Sequence, residues 1–174
     1  IDAVLAENPN VLCLAAIDME SCQAQLETAE ENGIPVVVLD SGVVTGTVDS
    51  VCSTDNKAAG ADAAKKLAEA VGSSGEIAVM AHIESSESSQ DRVKGFTDEL
   101  TANYPDIKIV NLSYENEETP VREMAAKVLE DNPNLKGYFC TNQVTADDVL
   151  EALKEAEREE IAVVGFDAGK TQKE

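Results

Sequence analysis

Short apolar runs recur along the chain and are separated by longer, more polar segments. They lie at residues 11–17, 34–39, 76–81, 107–112, 135–140 and 160–166. Within each run most positions are apolar, without the regular polar alternation of a half-exposed strand. Such runs are typical of strands covered on both sides, as in a parallel sheet. We therefore predict strands buried on both faces.

Between most of these runs, apolar residues recur at the spacing of one helix face. The sets are Cys22, Leu26 and Ala29; Ala64, Leu67 and Val71; Val93, Phe96 and Leu100; Met124, Val128 and Leu129; and Val149, Leu150 and Leu153. Gly33 and Gly72 stand where a glycine commonly ends a helix. Thr119 followed by Pro120 predicts an N-cap and a proline in the first turn.

The alternation of strands and helices predicts the fold class. Parallel strands joined by right-handed helical crossovers form a sheet with helices on both faces, which is a doubly wound α/β fold. One interval breaks the rhythm, because residues 41–56 hold a loop and a short strand but no helical pattern. We predict that the chain crosses there between two lobes, residues 1–54 and 55–174, near Thr54–Asn56.

The charge of the chain argues against several classes of partner. It has 34 acidic and 13 basic residues, a formal net charge of −21. This charge repels phosphate backbones and anionic lipid surfaces, so we expect no nucleic-acid partner. No run approaches the roughly 20 apolar residues of a membrane span, and no signal peptide opens the chain. Because residues 1–10 begin within a helical pattern, we expect that any signal was cut away.

The cysteines and the single histidine argue against a zinc site. Four cysteines lack the close paired spacing of metal ligands, and there is only one histidine. Cys13, Cys52 and Cys140 lie in apolar, strand-like runs, where a free cysteine packs as a small hydrophobic residue.

Residues 163–171, VVGFDAGKT, are similar to the phosphate-binding loop of nucleotide hydrolases. That loop needs four residues between its glycines, so that successive N–H groups surround the phosphates. Here only three residues separate the glycines, and Asp167 would place a negative charge where phosphate binds. We therefore interpret the segment as a buried strand that delivers Asp167 to a ligand, with the next helix beginning at Lys170 and Thr171.

Polar side chains follow the predicted strands. In open parallel sheets, ligands bind beyond the carboxyl ends of the strands. The residues there are rich in hydrogen-bonding groups: Asp18, Asp40, Ser41, Thr54, Asp55, Asn56, His82, Asn142 and Asp167. No Gly-x-Ser-x-Gly elbow, Gly-x-Gly-x-x-Gly turn or His-Glu-x-x-His helix accompanies them. The set suits recognition of a hydroxyl-rich small molecule.

Each candidate also has a purely structural interpretation. Asp40, Asn142 and Asp167 are good caps for a following helix. Arg92 could be an exposed helix residue paired with an acidic neighbour on its own helix. His82 has no evident orienting partner, so we expect a partly buried residue at a strand end rather than a catalytic base.

Five longer segments, taken in order, resemble one family. They are IPVVVLDSGV (34–43), STDNKAAGADAAKKLAEAV (53–71), GEIAVMAHIESSESSQDRVKGF (75–96), LKGYFCTNQVTADDVLEALK (135–154) and IAVVGFDAG (161–169). Together they resemble the ribose-binding-protein-like solute-binding proteins of sugar ABC transporters. The resemblance covers essentially the whole chain and implies the type I periplasmic binding fold, with two Rossmann-like lobes that are both incomplete here. We expect an excised piece of a longer protein.

The resemblance implies a ligand site between two lobes that hinge and close on the ligand. The implied ligand-binding residues are Asp40, Ser41, Thr54, Ile83, Arg92, Asn142, Phe166 and Asp167. Asp40 would reach the ligand from the first lobe and Thr54 would lie at the hinge, while Phe166 and Ile83 would form an apolar wall. Physically, arginine offers a fork of donors, aspartate accepts from hydroxyls, and asparagine does both.

Three positions depart from the family pattern. Ser41 stands where some sugar binders have arginine, Gln143 stands where many have an acid, and Asn116 occupies the approximate position of an aromatic residue that stacks on sugar. The chain has three Phe, three Tyr and no Trp. A polyol or a modified sugar is therefore as good a candidate ligand as an ordinary pyranose.

The function implied by the resemblance is capture of a sugar or polyol-like ligand for uptake by an ABC transporter, without catalysis, cofactor or metal. The implied partners are the ligand and the transporter permease. The protein would be extracytoplasmic, either periplasmic or a lipoprotein on the outer face of the cell membrane, held there only by a lipid anchor outside this chain.

Two alternatives remain open on the sequence. The ligand-sensing domain of a repressor related to the lac repressor shares this fold, and free cysteines favour it. Against it, such repressors usually have a longer, proline-containing turn before the strand at residues 161–167. An α/β enzyme would require turnover that is lost on substitution of Asp40 or Asp167.

Overall fold

The computed structural model describes residues 1–44 and 48–170. The helices are α1 (Asp2–Leu5), α2 (Gln23–Glu31), α3 (Asn56–Val71), α4 (Glu87–Asn103), α5 (Val121–Asp131) and α6 (Gln143–Glu155). The strands are β1 (Leu12–Leu14), β2 (Val36–Leu39), β3 (Ser50–Cys52), β4 (Gly75–Ala81), β5 (Ile107–Tyr114), β6 (Leu135–Cys140) and β7 (Ala162–Gly165). Thr171, where the sequence predicts part of a helix start, lies outside the described residues.

The strands form two parallel sheets. The first has the order β1-β2-β3 and the second the order β5-β4-β6-β7. Every strand pair within them is parallel. Strands up to Cys52 belong to the first sheet and strands from Gly75 belong to the second. The predicted parallel α/β class is confirmed.

The second sheet is covered on both faces, as the apolar runs predict. Along β4, Ile77, Val79 and Ala81 pack into one core with residues of α3 and α4. The alternate residues Ala78 and Met80 pack into a second core with residues of α5 and α6. This alternation follows from the two-residue period of a strand, which sends neighbouring side chains to opposite faces.

The first sheet is covered on one face only in the described residues. Val36 and Val38 are buried in a core with residues of α1 and α2. Cys13 and Cys52 are exposed, and 41% of Leu39 is accessible. The prediction of burial on both faces is therefore wrong here, because both helices lie on the same side.

The exposure of individual residues corrects two further expectations. Cys140 is buried in the second sheet and behaves as the sequence predicts, whereas the other two strand cysteines are exposed. Strand β5 forms an edge of its sheet, and 40% of Leu112 is accessible. A strand with a neighbour on one side only is less completely covered than a central strand.

The helix ends follow the sequence signals with one shift. Gly72 ends α3 in the left-handed conformation with φ 74°, and Gly33 follows α2 with φ 65°. Helix α5 begins at Val121 rather than at the proline. Pro120 has ψ 140°, and its carbonyl accepts the first helical bond from the Met124 N–H at 3.1 Å. The prediction that Thr119 is the N-cap is therefore wrong by one residue.

Helices α3 and α4 approach each other closely through two glycines. A Cβ at Gly60 would overlap the carbonyl oxygen of Arg92, and a Cβ at Gly95 would overlap that of Lys57. Glycine allows this backbone approach because it has no side chain. The contact fixes the position of Arg92 on α4.

Within residues 1–44 and 48–170, no helix has the length and apolar character needed to cross a membrane. The same residues contain no group of three or more His, Cys, Asp or Glu side chains that could hold a metal ion.

Candidate functional site

A polar cavity lies at the carboxyl ends of the strands and has a volume of about 260 Å³. Its lining residues are Asp40, His82, Ser88, Ser89, Arg92, Thr141, Asn142 and Asp167. Asp40 follows β2 of the first sheet, and the others come from strand ends of the second sheet and from α4. The two sheets therefore contribute to one cavity, at the edge where open α/β sheets bind ligands.

Arg92 is the buried cation of this cavity, with 8% of its surface accessible. Its Nε donates to Asn56 Oδ1 at 2.9 Å, and its Nη1 donates to the Thr141 carbonyl oxygen at 2.6 Å. These bonds come from the start of α3 and from the end of β6. The interpretation of Arg92 as an exposed residue paired along its own helix is therefore wrong.

The acidic neighbours of Arg92 on its own helix bond elsewhere. The Glu87 carboxylate accepts from the Gly42 N–H, and Asp91 pairs with Lys57 Nζ at 3.4 Å.

An aromatic column supports Arg92 from below. The guanidinium carbon lies 4.2 Å from the centre of the Phe166 ring. Phe166 contacts Phe139 edge-on at 6.1 Å between centroids, and Phe139 stacks on Phe96 at 4.1 Å. The three phenylalanines of the chain thus form a continuous aromatic contact from the hydrophobic core to the Arg92 guanidinium. A cation above an aromatic face is attracted by the ring quadrupole.

The electrostatics of the cavity centre on Arg92. Burial lowers the pKa of the guanidinium, while the negative charges of Asp167 and Asp40 act in the opposite direction. Arginine nevertheless keeps its proton in proteins. Asp40 comes from the first sheet and Asp167 from the second, so the cation interacts with one carboxylate from each side.

Asp40 and Asp167 share an unusual backbone conformation, with φ 64° at each. Around Asp40 the Ser41 N–H donates to the Leu39 carbonyl oxygen at 2.7 Å, so the chain turns sharply there. This region of φ is strained for most residues other than glycine, although aspartate tolerates it better than most. No helix directly follows Asp40 in the described chain, so the capping interpretation is wrong for Asp40. The helix start predicted after Asp167 includes Thr171, which lies outside the described residues, so capping by Asp167 stays a prediction.

Asn142 is both a helix cap and a cavity residue. Its Oδ1 accepts from the Thr145 N–H at 2.9 Å at the start of α6, and the Thr145 hydroxyl completes a capping box. The capping interpretation is confirmed for this residue. Its Nδ2 has no hydrogen-bond partner among the described residues, so the same amide can still donate into the cavity.

Loops of the two sheets meet beside the cavity. The Gly42 N–H donates to Glu87 Oε2 at 2.7 Å, and the Met19 N–H donates to the Ser85 carbonyl oxygen at 3.1 Å. A weaker contact joins the Ser88 N–H to Ser41 Oγ at 3.5 Å. These contacts join the two sheets beside the cavity.

The structure brings together four of the eight residues that the resemblance implies: Asp40, Arg92, Asn142 and Asp167. The other four do not line the cavity. Phe166 lies beneath Arg92, Ser41 and Ile83 adjoin lining residues in the chain, and Thr54 is exposed between β3 and α3.

Sequence reasoning missed three residues that line the cavity: Ser88, Ser89 and Thr141. It placed His82 among the polar residues at strand ends but not among the ligand-binding residues. His82 Nδ1 lies 2.6 Å from Glu115 Oε2 at the end of β5, so the expectation that it has no orienting partner is wrong. His82 and Thr141 could have been identified as cavity residues from their positions directly after β4 and β6. The pairing with Glu115 was not visible, since 33 residues separate the two.

Comparison with known proteins identifies the family. The sequence profile of the periplasmic binding protein domain family matches residues 1–174. The chain belongs to this family. Periplasmic binding proteins are non-enzymatic carriers of solutes, and the relatives in this family are extracytoplasmic. The two parallel sheets are accordingly parts of the two lobes of the type I periplasmic binding fold.

Two curated relatives and one solved structure illustrate the likeness. The chain is 31% identical over 144 residues to the D-apiose import binding protein of Actinobacillus succinogenes, which covers 82% of this chain and 46% of that protein. It is 25% identical over 169 residues to the xylitol-binding protein of Mycolicibacterium smegmatis, which covers 96% and 48%. An ABC transporter solute binding protein from Agrobacterium vitis with bound D-fucose has a TM-score of 0.91 and 32% identity, covering 98% and 60%.

The chain spans about half the length of these curated relatives.

Proposed function

We propose that this periplasmic binding protein captures a small, uncharged, hydroxyl-rich ligand between its two lobes and presents it to an ABC transporter. The observation that carries the proposal is the cavity itself, in which Arg92 interacts electrostatically with Asp40 of one sheet and Asp167 of the other. A cavity with one cation and two carboxylates keeps a net negative charge, which repels an anionic ligand. It offers donors and acceptors to hydroxyl groups instead.

The unused polar atoms define how such a ligand would be held. Among the described residues, Arg92 Nη2 and Asn142 Nδ2 have no hydrogen-bond partner, and neither does the carboxylate of Asp40 or Asp167. Hydroxyl groups donate to the carboxylates and accept from the two nitrogens. Ser41, Ile83 and Phe166 complete the proposed site at its margin, with Thr54 at the hinge.

The volume of the cavity supports a ligand of pentose or pentitol size. A volume of about 260 Å³ is far more than the roughly 10–15 Å³ that one buried water needs, so the cavity can hold a small ligand. A five-carbon sugar or polyol has about ten non-hydrogen atoms and fits a cavity of this volume. The apiose- and xylitol-binding relatives are named for ligands of this size.

We place the lobe boundary at residues 1–54 and 55–174. Two features support it. The strand order changes from the first sheet to the second after Cys52, and Asp55 Oδ1 caps α3 by accepting from the Ala58 N–H at 3.0 Å. Helix α3 packs on the second sheet. The crossing near Thr54–Asn56 would then serve as part of the hinge.

Transport is favoured over repression because one relative is named an import binding protein and the solved structure is an ABC transporter solute binding protein. The proposed partner is accordingly a transporter permease. The protein would act in the periplasm or as a lipoprotein on the outer face of the cell membrane, anchored through a lipid outside this chain.

A thermal-shift screen of the full-length protein tests the proposal. The panel contains D-ribose, D-arabinose, D-apiose, xylitol and arabitol, with D-glucose, sucrose and ribose 5-phosphate to test size and charge. A ligand at about 100 times its Kd stabilises by about 2.7 kcal/mol. That corresponds to a rise of several degrees in Tm. At least one five-carbon member should give such a rise, and the phosphate should not.

Arg92→Lys should abolish the rise, because a lysine cannot reproduce the guanidinium fork or its contact with Phe166. Arg122→Lys is the matched control, since Arg122 is an exposed residue paired with Glu151 on the surface. If no member of the panel raises Tm, or if Arg92→Lys responds like Arg122→Lys, the proposed site is wrong.

A further inference from the structure

His82 is a cavity residue whose ring is held in place by another strand. It directly follows β4, and its Nδ1 lies 2.6 Å from Glu115 Oε2 after β5. The side chains of the pair are 29% and 30% exposed. The Glu115 N–H donates to the Ala81 carbonyl oxygen at 2.8 Å, which keeps the two strand ends adjacent.

The backbone of His82 is fixed from two further elements. Its N–H donates to Thr141 Oγ1 at 2.8 Å after β6, and its carbonyl oxygen accepts from Ser89 Oγ on α4 at 3.1 Å. Thr141 and Ser89 also line the cavity. The orientation of His82 is therefore set before any ligand arrives, and preorganisation of this kind lowers the entropic cost of binding.

The pairing with Glu115 determines what the ring can offer. An ionised carboxylate is an acceptor only, so it takes the hydrogen bond from a protonated Nδ1. In the neutral ring this leaves Nε2 as an acceptor. Among the described residues, Nε2 has no hydrogen-bond partner. When the ring is neutral, the cavity thus contains a fixed acceptor, Nε2, in addition to its two carboxylates.

The position of His82 in the sheet determines which end of the ligand it could contact. The strand order β5-β4-β6-β7 places Glu115, His82, Asn142 and Asp167 in a row along the carboxyl edge. Neighbouring strands are about 4.8 Å apart, so β4 and β7 are separated by about 10 Å. A five-carbon ligand with one end near Asp167 would reach His82 only with its other end.

We propose that His82, positioned by Glu115, is a specificity-determining residue that accepts a hydrogen bond from a hydroxyl group at the end of the ligand remote from Asp167. This inference rests on the proposed function and deepens it. His82 binds the ligand, and Glu115 is a positioning residue that acts through it. The pair selects five-carbon sugars or polyols that carry a hydroxyl at that end.

The test measures affinity by isothermal titration calorimetry on the full-length protein, with the five-carbon panel member that binds best and its mono-deoxy analogues. For the wild type, one terminal deoxy analogue should bind about tenfold more weakly than the parent ligand, as expected for one lost hydrogen bond. His82→Ala should bind the parent about tenfold more weakly and should no longer distinguish it from that analogue. Glu115→Gln should reduce the preference while leaving Tm within the range of Glu117→Gln, an exposed control on the same loop.

A second measurement does not depend on the folding of any variant. His82 is the only histidine of residues 1–174, and after ¹⁵N-histidine labelling its ring resonances are assigned by their through-bond correlation with the His82 backbone. At alkaline pH the spectrum should show Nδ1 protonated and Nε2 unprotonated, and the ligand should shift chiefly the Nε2 resonance. The opposite tautomer, or an Nε2 resonance unmoved by a ligand that binds, would overturn the inference.

The outcomes separate this inference from the proposed function. If the wild type binds a panel member but both variants keep its affinity and preference within twofold, His82 is not a specificity residue and the proposed function stands. If the wild type binds no member of the panel, the proposed function is overturned and the inference with it.

Discussion

Burial of the Arg92 guanidinium is unfavourable unless protein groups replace its lost water. Asn56, the Thr141 carbonyl and Phe166 supply that replacement. They are contributed by α3, the end of β6 and the segment after β7, which only the folded second lobe brings together. The side chain is consequently presented to the cavity in one orientation.

The conformation of Asp167 leads to a prediction that separates stability from binding. Asp167→Gly should leave the free energy of unfolding within about 1 kcal/mol, because glycine adopts positive φ without strain. Ligand affinity should nevertheless fall at least tenfold, since the carboxylate is lost. Chemical denaturation and calorimetry on the same preparation measure both quantities.

Glu157→Gly is the matched control, because Glu157 also has positive φ, 54°, and is exposed at the end of α6. It should show the same backbone effect with unchanged affinity. Equal affinity loss in both variants would mean that the backbone, and not the carboxylate of Asp167, governs binding.

Residue positions in the site were easier to predict than residue partners. Asp40, Asn142 and Asp167 follow apolar runs, so the rule for strand ends locates them. The groups that hydrogen-bond the side chains of Arg92 and His82 lie 33 to 49 residues away in the chain. A pairing of this kind depends on strand order, which the local pattern of a single sequence does not contain.

At the scale of elements, Asn142 joins the start of α6 to the cavity. Asn142→Ala should lower the free energy of unfolding by about 1 kcal/mol, as expected for a lost N-cap, and should also weaken ligand binding. Asn142→Asp keeps an oxygen to cap the helix but loses the amide donor. It should therefore weaken binding with little effect on Tm. Equal destabilisation by both substitutions would contradict this separation of roles.

The close packing of α3 on α4 predicts that Gly95→Ala lowers the free energy of unfolding. In a free helix, Gly95→Ala would stabilise by up to about 1 kcal/mol through helix propensity. Here the new Cβ would overlap the Lys57 carbonyl oxygen, which belongs to the backbone and cannot rotate away. We expect a loss of about 1–3 kcal/mol in urea denaturation, as for other overpacked cores. A gain in stability would show that the helices can separate without cost.

The sequence predicted the order of these elements better than their exposure. The apolar runs and helical patterns correspond to strands and helices of the structure, because periodicity reflects burial directly. The exposed face of β1 and β2 was not predicted, since an apolar run indicates that a strand can be buried but not which helices cover it. The same limit explains the exposed Cys13 and Cys52.

At the scale of the whole molecule, closure is supported by contacts outside the cavity. Gly42 and Glu87 join loops of the two sheets, and a Cβ at Gly42 would overlap the Glu87 carboxylate. Gly42→Ala should therefore weaken ligand affinity several-fold. The apparent affinity of a ligand that binds the closed form falls when that form is less populated. Calorimetry gives the affinity, and small-angle scattering gives the change in radius on adding ligand.

A double-mutant cycle identifies the cause of this effect. With the carboxylate removed by Glu87→Ala, the further change Gly42→Ala should have little additional effect on affinity. If Gly42→Ala weakens binding equally in both backgrounds, the contact with Glu87 is not what stabilises the closed form.

The central claim is that one ligand is held jointly by residues of both lobes. Isothermal titration calorimetry of the full-length protein with the five-carbon panel tests it most directly, using Asp40→Asn from the first lobe and Asp167→Asn from the second. The account predicts one ligand bound per wild-type chain and an affinity at least tenfold lower in each variant. Unchanged affinity in both variants, for a panel member that binds the wild type, would contradict it.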